Sequence, residues 1–403
     1  MNIILINHYA GSPRHGMEFR PYYLAREWAA QGHQVTIVAS SVSHIRQRAP
    51  EFDGPVHSET LDEIDYLWLR TRPYRGNGAA RLLNMFQFTG LLYRYAKTLV
   101  AKRPDVVIAS STYPYDIWPA HYIARRTGAK LVYELHDVWP LTPKLLGGFS
   151  KWHPMIFSMQ CAENYAYAHA DKAVSLLPGT EMHMREHGLR GDKFVYIPNG
   201  VDPAASPTPV PDDIVVRISQ FREKFETLCI YAGGHAISNA LDPLIEAASR
   251  PAAQKTGLVL VGSGVEKARL QHKTEQLNLA NVLFLDPIPK TAVPSLLSLA
   301  DMAYIGWRDS PLYAHGMSPN KLFDYMMAGL PVIHSTSSPY DIVRDAECGI
   351  SIPAEDVDGI ADALGRLTGM TAAARRELGE RGRRFVQSYH AYPMLAARFL
   401  QAL

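Results

Sequence analysis

The sequence predicts an α/β protein with two doubly wound domains, each built on a parallel sheet with helices on both faces. Three observations support this prediction. Apolar strand-like stretches alternate with helix-like stretches, and a proline-rich segment interrupts the alternation before it restarts. The length of 403 residues also exceeds one typical core. We place the domains at residues 1–200 and 201–388, with a final helix at about 389–403 packing back onto the first domain.

The composition argues against several classes of protein. Charged residues make up 20% of the chain and hydrophobic residues 47%, as in ordinary soluble globular proteins. A formal net charge of +2 gives no reason to expect a nucleic-acid partner. Three scattered cysteines are too few for a disulfide framework or a zinc site, which fits a reducing cytoplasm. No run reaches the ~18 apolar residues of a membrane span, and the apolar N-terminus is too short for a signal peptide.

In the first half, strand-like and helix-like stretches follow each other as in right-handed βαβ units. The predicted strands are Ile3–Asn7, Gln34–Ser40, Asp105–Ala109 and Lys130–Glu134, and the clearest helix is Pro21–Gln31. In such sheets ligands bind beyond the carboxyl ends of the strands. The loops after these strands are therefore candidate binding loops.

The segment IPNGVDPAASPTPVPDD is dense in proline and small polar residues, and we interpret it as the linker between the domains. Beyond it the predicted strands are Leu228–Ala232, Leu258–Val261, Val282–Leu285 and Met302–Ile305, and the predicted helices are Leu241–Ser249 and Ala292–Leu299. Two such domains in tandem are expected to face each other across a ligand-binding cleft.

The most informative segment is SPNKLFDYMMAGLPVI in the second half. Ser318 can cap a helix whose first position suits Pro319 and whose C′ position suits Gly329. Lys321 is unusual, because a cation in the first turn faces the positive end of the helix dipole. Free N–H groups and an ammonium together are typical of a phosphate site, and Asp324 on the same helix face could bind sugar hydroxyls. The alternative is an ordinary surface lysine.

The loop YAGSPRHGM follows the first predicted strand. Gly11 and Gly16 would let the backbone approach a ligand closely, and Arg14 and His15 lie between them. A plain strand-to-helix connection is the competing interpretation.

The segment YELHD ends another strand of the first domain. Titratable residues at this edge are costly unless they are paired or functional, and we favour His136 as a ligand contact. The alternative is that Glu134 or Asp137 ties neighbouring loops together by hydrogen bonds.

Glycines also follow two strands of the second domain. The amides of Gly233 and Gly234 could cradle a phosphate. The pair Gly262 and Gly264 lacks the third glycine of a dinucleotide fingerprint, so we interpret it as a turn.

The stretch from Tyr66 to Arg103 combines aromatic residues with cations and has no acidic residue. Its cations are Arg70, Arg72, Arg75, Arg81, Arg94, Lys97, Lys102 and Arg103. Its aromatic residues are Trp68, Tyr74, Phe86, Phe88, Tyr93 and Tyr95, among others. This composition suits an anionic membrane surface. RNA stacking without a recognisable RNA module, or a solvated helix face beside a core, are the alternatives.

Together these segments resemble a known family. The tandem halves, the IPNGVD joint and above all SPNKLFDYMMAGLPVI resemble the family 4 glycosyltransferases of the GT-B fold. NHYAGSPRHGMEFRPYYLAREW and YELHDVWPL are similar to the bacterial branch of N-acetyl-L-fucosaminyltransferases of O-antigen and capsule synthesis. The resemblance covers nearly the whole chain.

The resemblance implies retaining transfer from a nucleotide diphosphate sugar, with UDP as the usual carrier and without a bound metal. It implies that Lys321 contacts the diphosphate, that Asp324 contacts the ribose and that His136 approaches the donor sugar. The remaining donor-binding positions that it implies are Gly11, Gly16, Gly233, Gly234, Pro287, Ile288, Gly316, Met317 and Ser318.

The acceptor implied is a saccharide linked to polyprenyl diphosphate, at the inner face of the cell membrane. The protein would then be cytoplasmic and peripherally bound to an anionic surface. The acceptor and membrane side would comprise Arg14, His15, Arg70, Arg72, Arg75, Arg81, Arg94 and Lys97.

The chain departs from the family pattern at two places. Members often have two glutamates separated by seven residues; here the second is Asp324 and Gly316 replaces the first. Many members also have an arginine and a lysine after the first strand of the second domain, and GGHAISNALDP has neither. Lys321 would then carry more of the phosphate charge, aided by Arg308 or Arg14. A GT-B epimerase or hydrolase, or a catalytically silent nucleotide-sugar-binding protein, remain alternatives.

Overall fold

A computed structural model of the chain describes residues 1–46, 48–74, 76 and 78–403. These residues form two compact units. The first comprises Met1–Asn199 together with Tyr392–Leu403, and the second comprises Gly200–Ala391. Each unit has its own sheet, so the predicted α/β class with two parallel-sheet domains is confirmed.

The first unit contains an eight-stranded sheet in the order β3-β4-β2-β1-β5-β6-β7-β8, in which only the edge strand β3 runs antiparallel to its neighbour. Its elements are β1 (Asn2–Ile6), α1 (Arg20–Ala30), β2 (Gln34–Ser40), β3 (Val56–Leu61), β4 (Ile64–Leu69), α2 (Ala79–Arg94), α3 (Ala96–Ala101), β5 (Val106–Ala109), α4 (Ile117–Thr127), β6 (Lys130–Leu135), α5 (Leu141–Gly147), α6 (Pro154–His169), β7 (Lys172–Ser175), α7 (Glu181–Glu186) and β8 (Phe194–Tyr196). The apolar strands β1, β5 and β6 lie side by side, so the loops that follow them meet at one edge of the sheet.

The second unit contains a six-stranded parallel sheet in the order β11-β10-β9-β12-β13-β14. Its elements are α8 (Asp212–Arg222), β9 (Thr227–Ala232), α9 (Leu241–Ala248), β10 (Thr256–Val261), α10 (Lys267–Gln276), β11 (Val282–Leu285), α11 (Val293–Leu297), β12 (Met302–Gly306), α12 (Asn320–Met327), β13 (Val332–Ser335), α13 (Ile342–Asp345), β14 (Gly349–Ile352), α14 (Val357–Gly369) and α15 (Ala372–Tyr389). Strands β10 and β11 lie on one side of the central strand β9. After β11 the chain crosses to β12 on the other side of β9, so the strand order reverses between β9 and β12. Ligands of open α/β sheets bind at such a switch in strand order.

The last helix, α16 (Tyr392–Gln401), is part of the first unit. The indole N–H of Trp28 on α1 donates to the carbonyl of Ala396 at 3.0 Å, and the ring of Phe399 lies 5.1 Å from that of Trp28. Both aromatic rings are fully buried. The C-terminal helix therefore completes the core that α1 begins.

The helix α12 and its N-cap each begin one residue later than the sequence predicted. Pro319 has extended backbone geometry (ψ 123°) and is the N-cap, so the helix begins at Asn320 and Ser318 is not the cap. Gly329 has a φ of 73°, a left-handed conformation that glycine adopts at low cost just past a helix end. Lys321 remains in the first turn, as the sequence predicted.

Candidate active site

The Lys321 ammonium is the centre of a polar cluster in the second unit. Its Nζ donates to the hydroxyl of Tyr231 at 2.9 Å and to Oδ1 of Asn239 at 2.5 Å. Both partners also donate to the carbonyl of Gly234, Tyr231 at 2.7 Å and Asn239 at 2.9 Å. The loop after β9 and the first turn of α12 are thus joined through one ammonium group.

The surroundings of Lys321 are neutral, and burial lowers its pKa from 10.5 to about 7. Its Nζ lies 4.7 Å from the centre of the Tyr231 ring and 5.8 Å from that of Trp307. Neutral oxygens and aromatic faces stabilise an ammonium less strongly than a neighbouring carboxylate would. A bound anion would therefore interact strongly with this group.

Glycines allow the loops at this site to lie against one another. A Cβ on Gly233 would meet Lys321 Cε at 3.3 Å, and one on Gly262 would lie 1.9 Å from the carbonyl oxygen of Gly233. The amide of Gly233 donates to the carbonyl of Val261 at 2.9 Å. Gly262 to Gly264 form a loop that leads into a turn at Val265 and Glu266, one step later than interpreted from the sequence, and this loop supports the glycine loop after β9.

His235 is a buried neighbour that the sequence did not single out. Its side chain is inaccessible to solvent, and burial, with the charges of Lys267 and Lys321, lowers its pKa to about 4. The imidazole is therefore neutral at physiological pH, and it adds no charge to the cluster.

Asp324 has a partner that the sequence did not predict. Its carboxylate accepts a hydrogen bond from the ammonium of Lys290, in an ion pair that is partly exposed to solvent. Lys290 follows the segment at Pro287 and Ile288, of which Pro287 is exposed and Ile288 packs against the second-unit core. A ribose bound at Asp324 would thus also meet Lys290.

The structure gives a reason for the missing acid at Gly316. This residue has φ 87° and ψ −178°, a combination that is essentially restricted to glycine. Met317 is buried and Ser318 is partly buried, directly before α12. A glutamate at position 316 would therefore strain the turn that leads into the helix.

The two arginines predicted to assist Lys321 are bound to acidic residues. Arg308 Nη1 lies 3.3 Å from Glu355 Oε1, and Arg14 Nη1 donates to Glu59 Oε1 at 2.5 Å. Arg308 lines a cavity of about 300 Å³ near the start of α9, and Arg14 belongs to the first unit. Both arginines thus already have an acidic partner, and their assistance to Lys321 stays a prediction.

In the first unit, His136 lies in a buried hydrogen-bond network. The guanidinium of Arg20 donates to Glu134 Oε1 at 2.9 and 3.1 Å, and Ser110 Oγ donates to Glu134 Oε2 at 2.6 Å. The ring nitrogen Nε2 of His136 lies 3.1 Å from Glu134 Oε2 and 2.9 Å from Ser110 Oγ. Burial by itself would raise the pKa of Glu134, but the charge of Arg20 and the bonds from His136 and Ser110 hold it well below its usual range.

This network joins three segments of the first unit. Arg20 also donates to the carbonyls of Ile197 and Pro198, at the IPNG joint. Glu134 therefore does tie loops together, as the alternative interpretation proposed. His136 is positioned by the same carboxylate, and its contact with a ligand stays a prediction.

The loop after β1 folds onto itself. Gly11 N donates to Glu18 O at 2.8 Å, and a Cβ on Gly11 would lie 1.7 Å from the carbonyl oxygen of Gly16. His15 is buried beside Trp68, with ring centres 4.9 Å apart, and its Nδ1 lies 2.8 Å from a serine hydroxyl. Gly11 and Gly16 thus serve the turn itself. His15 is 4% exposed, and its place on the acceptor side stays a prediction.

The basic and aromatic stretch divides into buried and exposed parts. Trp68 and Phe88 are buried, so they are core residues and not surface contacts. On α2, Leu83 is 69% exposed, Phe86 42% and Tyr93 46%. These three residues lie three and seven positions apart and form an apolar stripe on one helix face. No helix among the described residues is long and apolar enough to span a membrane.

The predicted cations of this stretch occupy different surroundings. Arg70, Arg72, Arg94 and Lys97 are all exposed. Arg70 also donates a hydrogen bond to the carbonyl of Gly54. Arg70, Arg72 and Arg94 line a cavity of about 980 Å³ between α2 and the segment before β3. Arg75 lies outside the described residues.

Arg81 is partly buried at the edge of the sheet. Its Nε donates to the hydroxyl of Tyr9 at 3.2 Å, and its guanidinium lies 5.4 Å from the Tyr9 ring and 5.7 Å from the Trp139 ring. Tyr9 follows β1 and Trp139 follows β6, at the carboxyl ends of these strands, where ligands of open α/β sheets bind. Arg81 thus joins α2 to the loops that follow β1 and β6.

Comparison with known proteins identifies both units. A model described as a glycosyl transferase 4-like domain matches residues 15–200, and one described as glycosyl transferases group 1 matches residues 226–369. The chain is 21% identical over 309 residues to the putative colanic acid biosynthesis glycosyl transferase WcaI of Escherichia coli (strain K12), which is 75% of each chain.

Solved structures share the fold over the whole chain. Sucrose-phosphate synthase from Thermosynechococcus elongatus is 18% identical with a TM-score of 0.74, covering 99% of this chain and 97% of that one. HepE from Anabaena, solved in complex with UDP-glucose, is 15% identical with a TM-score of 0.67, covering both chains fully. The fold is therefore that of the GT-B enzymes, as the sequence resemblance implied.

Proposed function

Because the chain is a glycosyltransferase of the GT-B type, we propose that it transfers a sugar from a UDP-linked donor to a lipid-linked saccharide in bacterial surface polysaccharide synthesis, with retention of configuration. The sugar proposed is an N-acetylated deoxyhexosamine, as in the N-acetyl-L-fucosaminyltransferase branch that the sequence resembles. The relative named for colanic acid biosynthesis and a neighbour solved with UDP-glucose support this proposal.

The observation that carries the proposal is the Lys321 ammonium. Neutral oxygens hold it in the first turn of α12, beside the glycine loop after β9. The start of α12, where the N-cap Pro319 makes no side-chain hydrogen bond, adds the positive end of the helix dipole at the same place. This arrangement suits the diphosphate of a nucleotide sugar, with Asp324 and Lys290 next to it for the ribose.

Catalysis then depends on the charge of the leaving group. When the sugar departs, negative charge develops on the nucleotide diphosphate, and the ammonium of Lys321 stabilises it in a partly dry site. His136, fixed by Glu134 and Ser110, is the first unit's contribution to binding the donor sugar.

Retention without a carboxylate nucleophile fits the groups around His136. Both oxygens of Glu134 are bonded and the residue is inaccessible to solvent. Asp137 accepts hydrogen bonds from Val138 N and Thr142 Oγ1, each at 2.9 Å. We therefore propose same-face attack, in which the departing phosphate takes the proton of the acceptor hydroxyl.

The lipid-linked acceptor is supported by the exposed stripe on α2. Leu83, Phe86 and Tyr93 present apolar surface, and the exposed cations Arg94 and Lys97 follow at the end of the stripe. Apolar side chains beside cations suit an anionic lipid surface. The proposed location is therefore cytoplasmic, on the inner face of the cell membrane.

The test is a panel of nucleotide sugars, incubated with the protein with and without a lipid-linked saccharide. We expect nucleotide release that requires the acceptor, and turnover about 10²–10³-fold lower for Lys321→Ala. Lys255→Ala is the matched control, because it removes an exposed lysine of the same unit that pairs with Glu226. Near-normal turnover of Lys321→Ala would refute the role of Lys321. Acceptor-independent release would identify a hydrolase or epimerase, and binding alone a silent protein.

A further inference from the structure

We propose that Glu163, His183 and His187 of the first unit form a site for a divalent transition metal, with Zn²⁺ as the best match. Glu163 lies on α6, His183 lies on α7, and His187 directly follows α7. One ligand atom of each residue lies within 4.8 Å of the other two. These side chains take no part in the proposed transfer reaction.

The donor set suits zinc. His183 and His187 are four residues apart, so their rings lie on one face with centres 4.3 Å apart. Glu163 is inaccessible to solvent and supplies an anionic oxygen. Two imidazoles and one carboxylate, with water as the fourth ligand, form a tetrahedral Zn²⁺ site. Such ligands are roughly 3.3 Å apart, a separation that side-chain shifts of about 1 Å would reach.

The hydrogen bonds around the cluster leave a ligand atom of His187 available and fix the carboxylate of Glu163. Nδ1 of His187 lies 2.9 Å from the carbonyl oxygen of His183. A carbonyl oxygen only accepts, so this nitrogen carries the hydrogen and Nε2 of His187 keeps the lone pair that a metal requires. Glu163 accepts hydrogen bonds from Tyr167 at 2.9 Å and Gln160 at 2.7 Å, which fix the carboxylate. Metal ligands are typically supported by outer hydrogen bonds of this kind.

His183 and Glu163 already make a direct contact. Nε2 of His183 lies 2.9 Å from Oε1 of Glu163. A metal ion at this point replaces that hydrogen bond with two coordination bonds and recruits His187. His183 then carries its hydrogen on Nδ1, so that Nε2 has the lone pair that the metal requires. The ion would tie α6 to α7, and so hold the segment that follows β7 against the sheet.

The experiment is a titration of the chelator-treated full-length protein with Zn²⁺ by calorimetry, and with Co²⁺ by visible absorption. We expect one equivalent of metal, the absorption of a tetrahedral Co²⁺ site and a raised Tm with Zn²⁺. His187→Ala and Glu163→Gln should each lower affinity by more than about 100-fold, and Tyr167→Phe by about 10–100-fold. His169→Ala should change nothing, because His169 is an exposed histidine of the same helix α6.

Absence of Zn²⁺ binding by the unmodified protein would refute the site, as would equal affinity of the His187→Ala and His169→Ala variants. Circular dichroism of the metal-free variants checks that each one folds. If Glu163→Gln fails to fold, His187→Ala decides, because His187 is only partly buried.

Discussion

At the scale of single residues, the charged groups of the candidate site are held by partners far away in the sequence. Lys321 is bonded to Tyr231 and Asn239, which precede it by 90 and 82 positions. Arg20 is bonded to Glu134, 114 positions later. The function of each charge therefore depends on the fold that brings its partners to it.

The lowered pKa of Lys321 predicts a pH dependence of UDP binding. In the free protein the ammonium loses its proton as the pH rises through about 7, and a diphosphate prefers the charged form. Between pH 7 and 9 we expect the affinity for UDP to fall by up to about tenfold per unit, because binding then requires uptake of one proton. The phosphate's own titration near pH 6 lies outside this window.

Calorimetry in buffers of different ionisation enthalpy measures both the affinity and the proton uptake. Lys321→Met should bind UDP weakly at all pH values and take up no proton. An unmodified protein whose UDP affinity is constant from pH 7 to 9 would contradict the prediction.

The Arg20–Glu134 pair predicts a large loss of stability. Arg20→Met leaves the carboxylate of Glu134 buried without its counter-ion, and we expect a cost of about 3–5 kcal/mol. Arg26→Met is the matched control on the same helix, since Arg26 is partly exposed, pairs with Glu27 and should cost only about 0–1 kcal/mol. Urea unfolding of both variants checks the difference, and equal costs would disprove the assignment.

Local patterns predicted the unusual charge of Lys321 but not the contacts around it. The helix signals and the missing acid near Lys321 can be seen in the sequence. The pairing of Asp324 with Lys290 cannot, because it joins α12 to a residue 34 positions earlier, in the segment after β11. His15 also looked like a loop residue beside a ligand, and only the packing of β3 and β4 shows that it is buried. Burial and long-range pairing are properties of the folded chain, so local patterns do not contain them.

At the scale of elements, α12 is positioned by its contact with α15. A Cβ on Gly379 would lie 1.7 Å from the carbonyl oxygen of Gly329. The guanidinium of Arg383, one turn on, donates to the last carbonyls of α12 at 2.9 and 3.0 Å. α15 thus fixes the C-terminal end of α12, the helix whose first turn contains Lys321.

Gly379→Ala should therefore disturb the site from a distance. We expect a loss of about 1–3 kcal/mol in unfolding free energy, because the added methyl group forces the helices apart. Weaker UDP binding should accompany it, because Lys321 moves with α12. Gly369→Ala is the control, since a Cβ there meets nothing within 4 Å. Comparable effects of the two substitutions on stability and binding would contradict this account.

The stripe on α2 predicts that the protein binds membranes that contain anionic lipid. Replacing Leu83 and Phe86 together by serine should weaken binding to vesicles that contain anionic lipid, because both side chains are exposed. Val265→Ser, which changes an 84% exposed residue of the second unit, should have no effect. Binding should also weaken with added salt, because Arg94 and Lys97 contribute electrostatic attraction. Vesicle sedimentation measures the effects of the double substitution, of the control and of salt. Equal binding to neutral and anionic vesicles would contradict the prediction.

The elements themselves were largely predictable. Alternating apolar stretches gave β2 and β11 with their observed bounds and most other strands to within one or two residues. The error at the start of α12 arose because Pro319 suits both the N-cap and the first helical position. The edge strand β3 was not predicted, because it is polar and lacks an apolar run. The buried strands β4 and β7 were missed as well, so apolar patterns alone do not identify every buried element.

At the scale of the whole molecule, the chain returns to its first unit after completing the second. Helix α16 buries Leu395, Ala396 and Phe399 in the same core as Trp28. The first unit therefore depends on residues more than 360 positions from α1 for part of its core.

This connectivity predicts that a substitution near the C-terminus destabilises the first unit. Phe399→Ala removes a fully buried ring that packs on Trp28, and we expect a cost of about 3–5 kcal/mol. UDP, bound at Lys321, should stabilise the second unit by about 2.7 kcal/mol at 100 times its Kd. Hydrogen exchange read by mass spectrometry separates the two effects. Phe399→Ala should accelerate exchange in α1 and β1, whereas UDP should slow exchange around β9 and α12 in the variant as in the unmodified protein. Faster exchange in the second unit alone would show that α16 supports a different core.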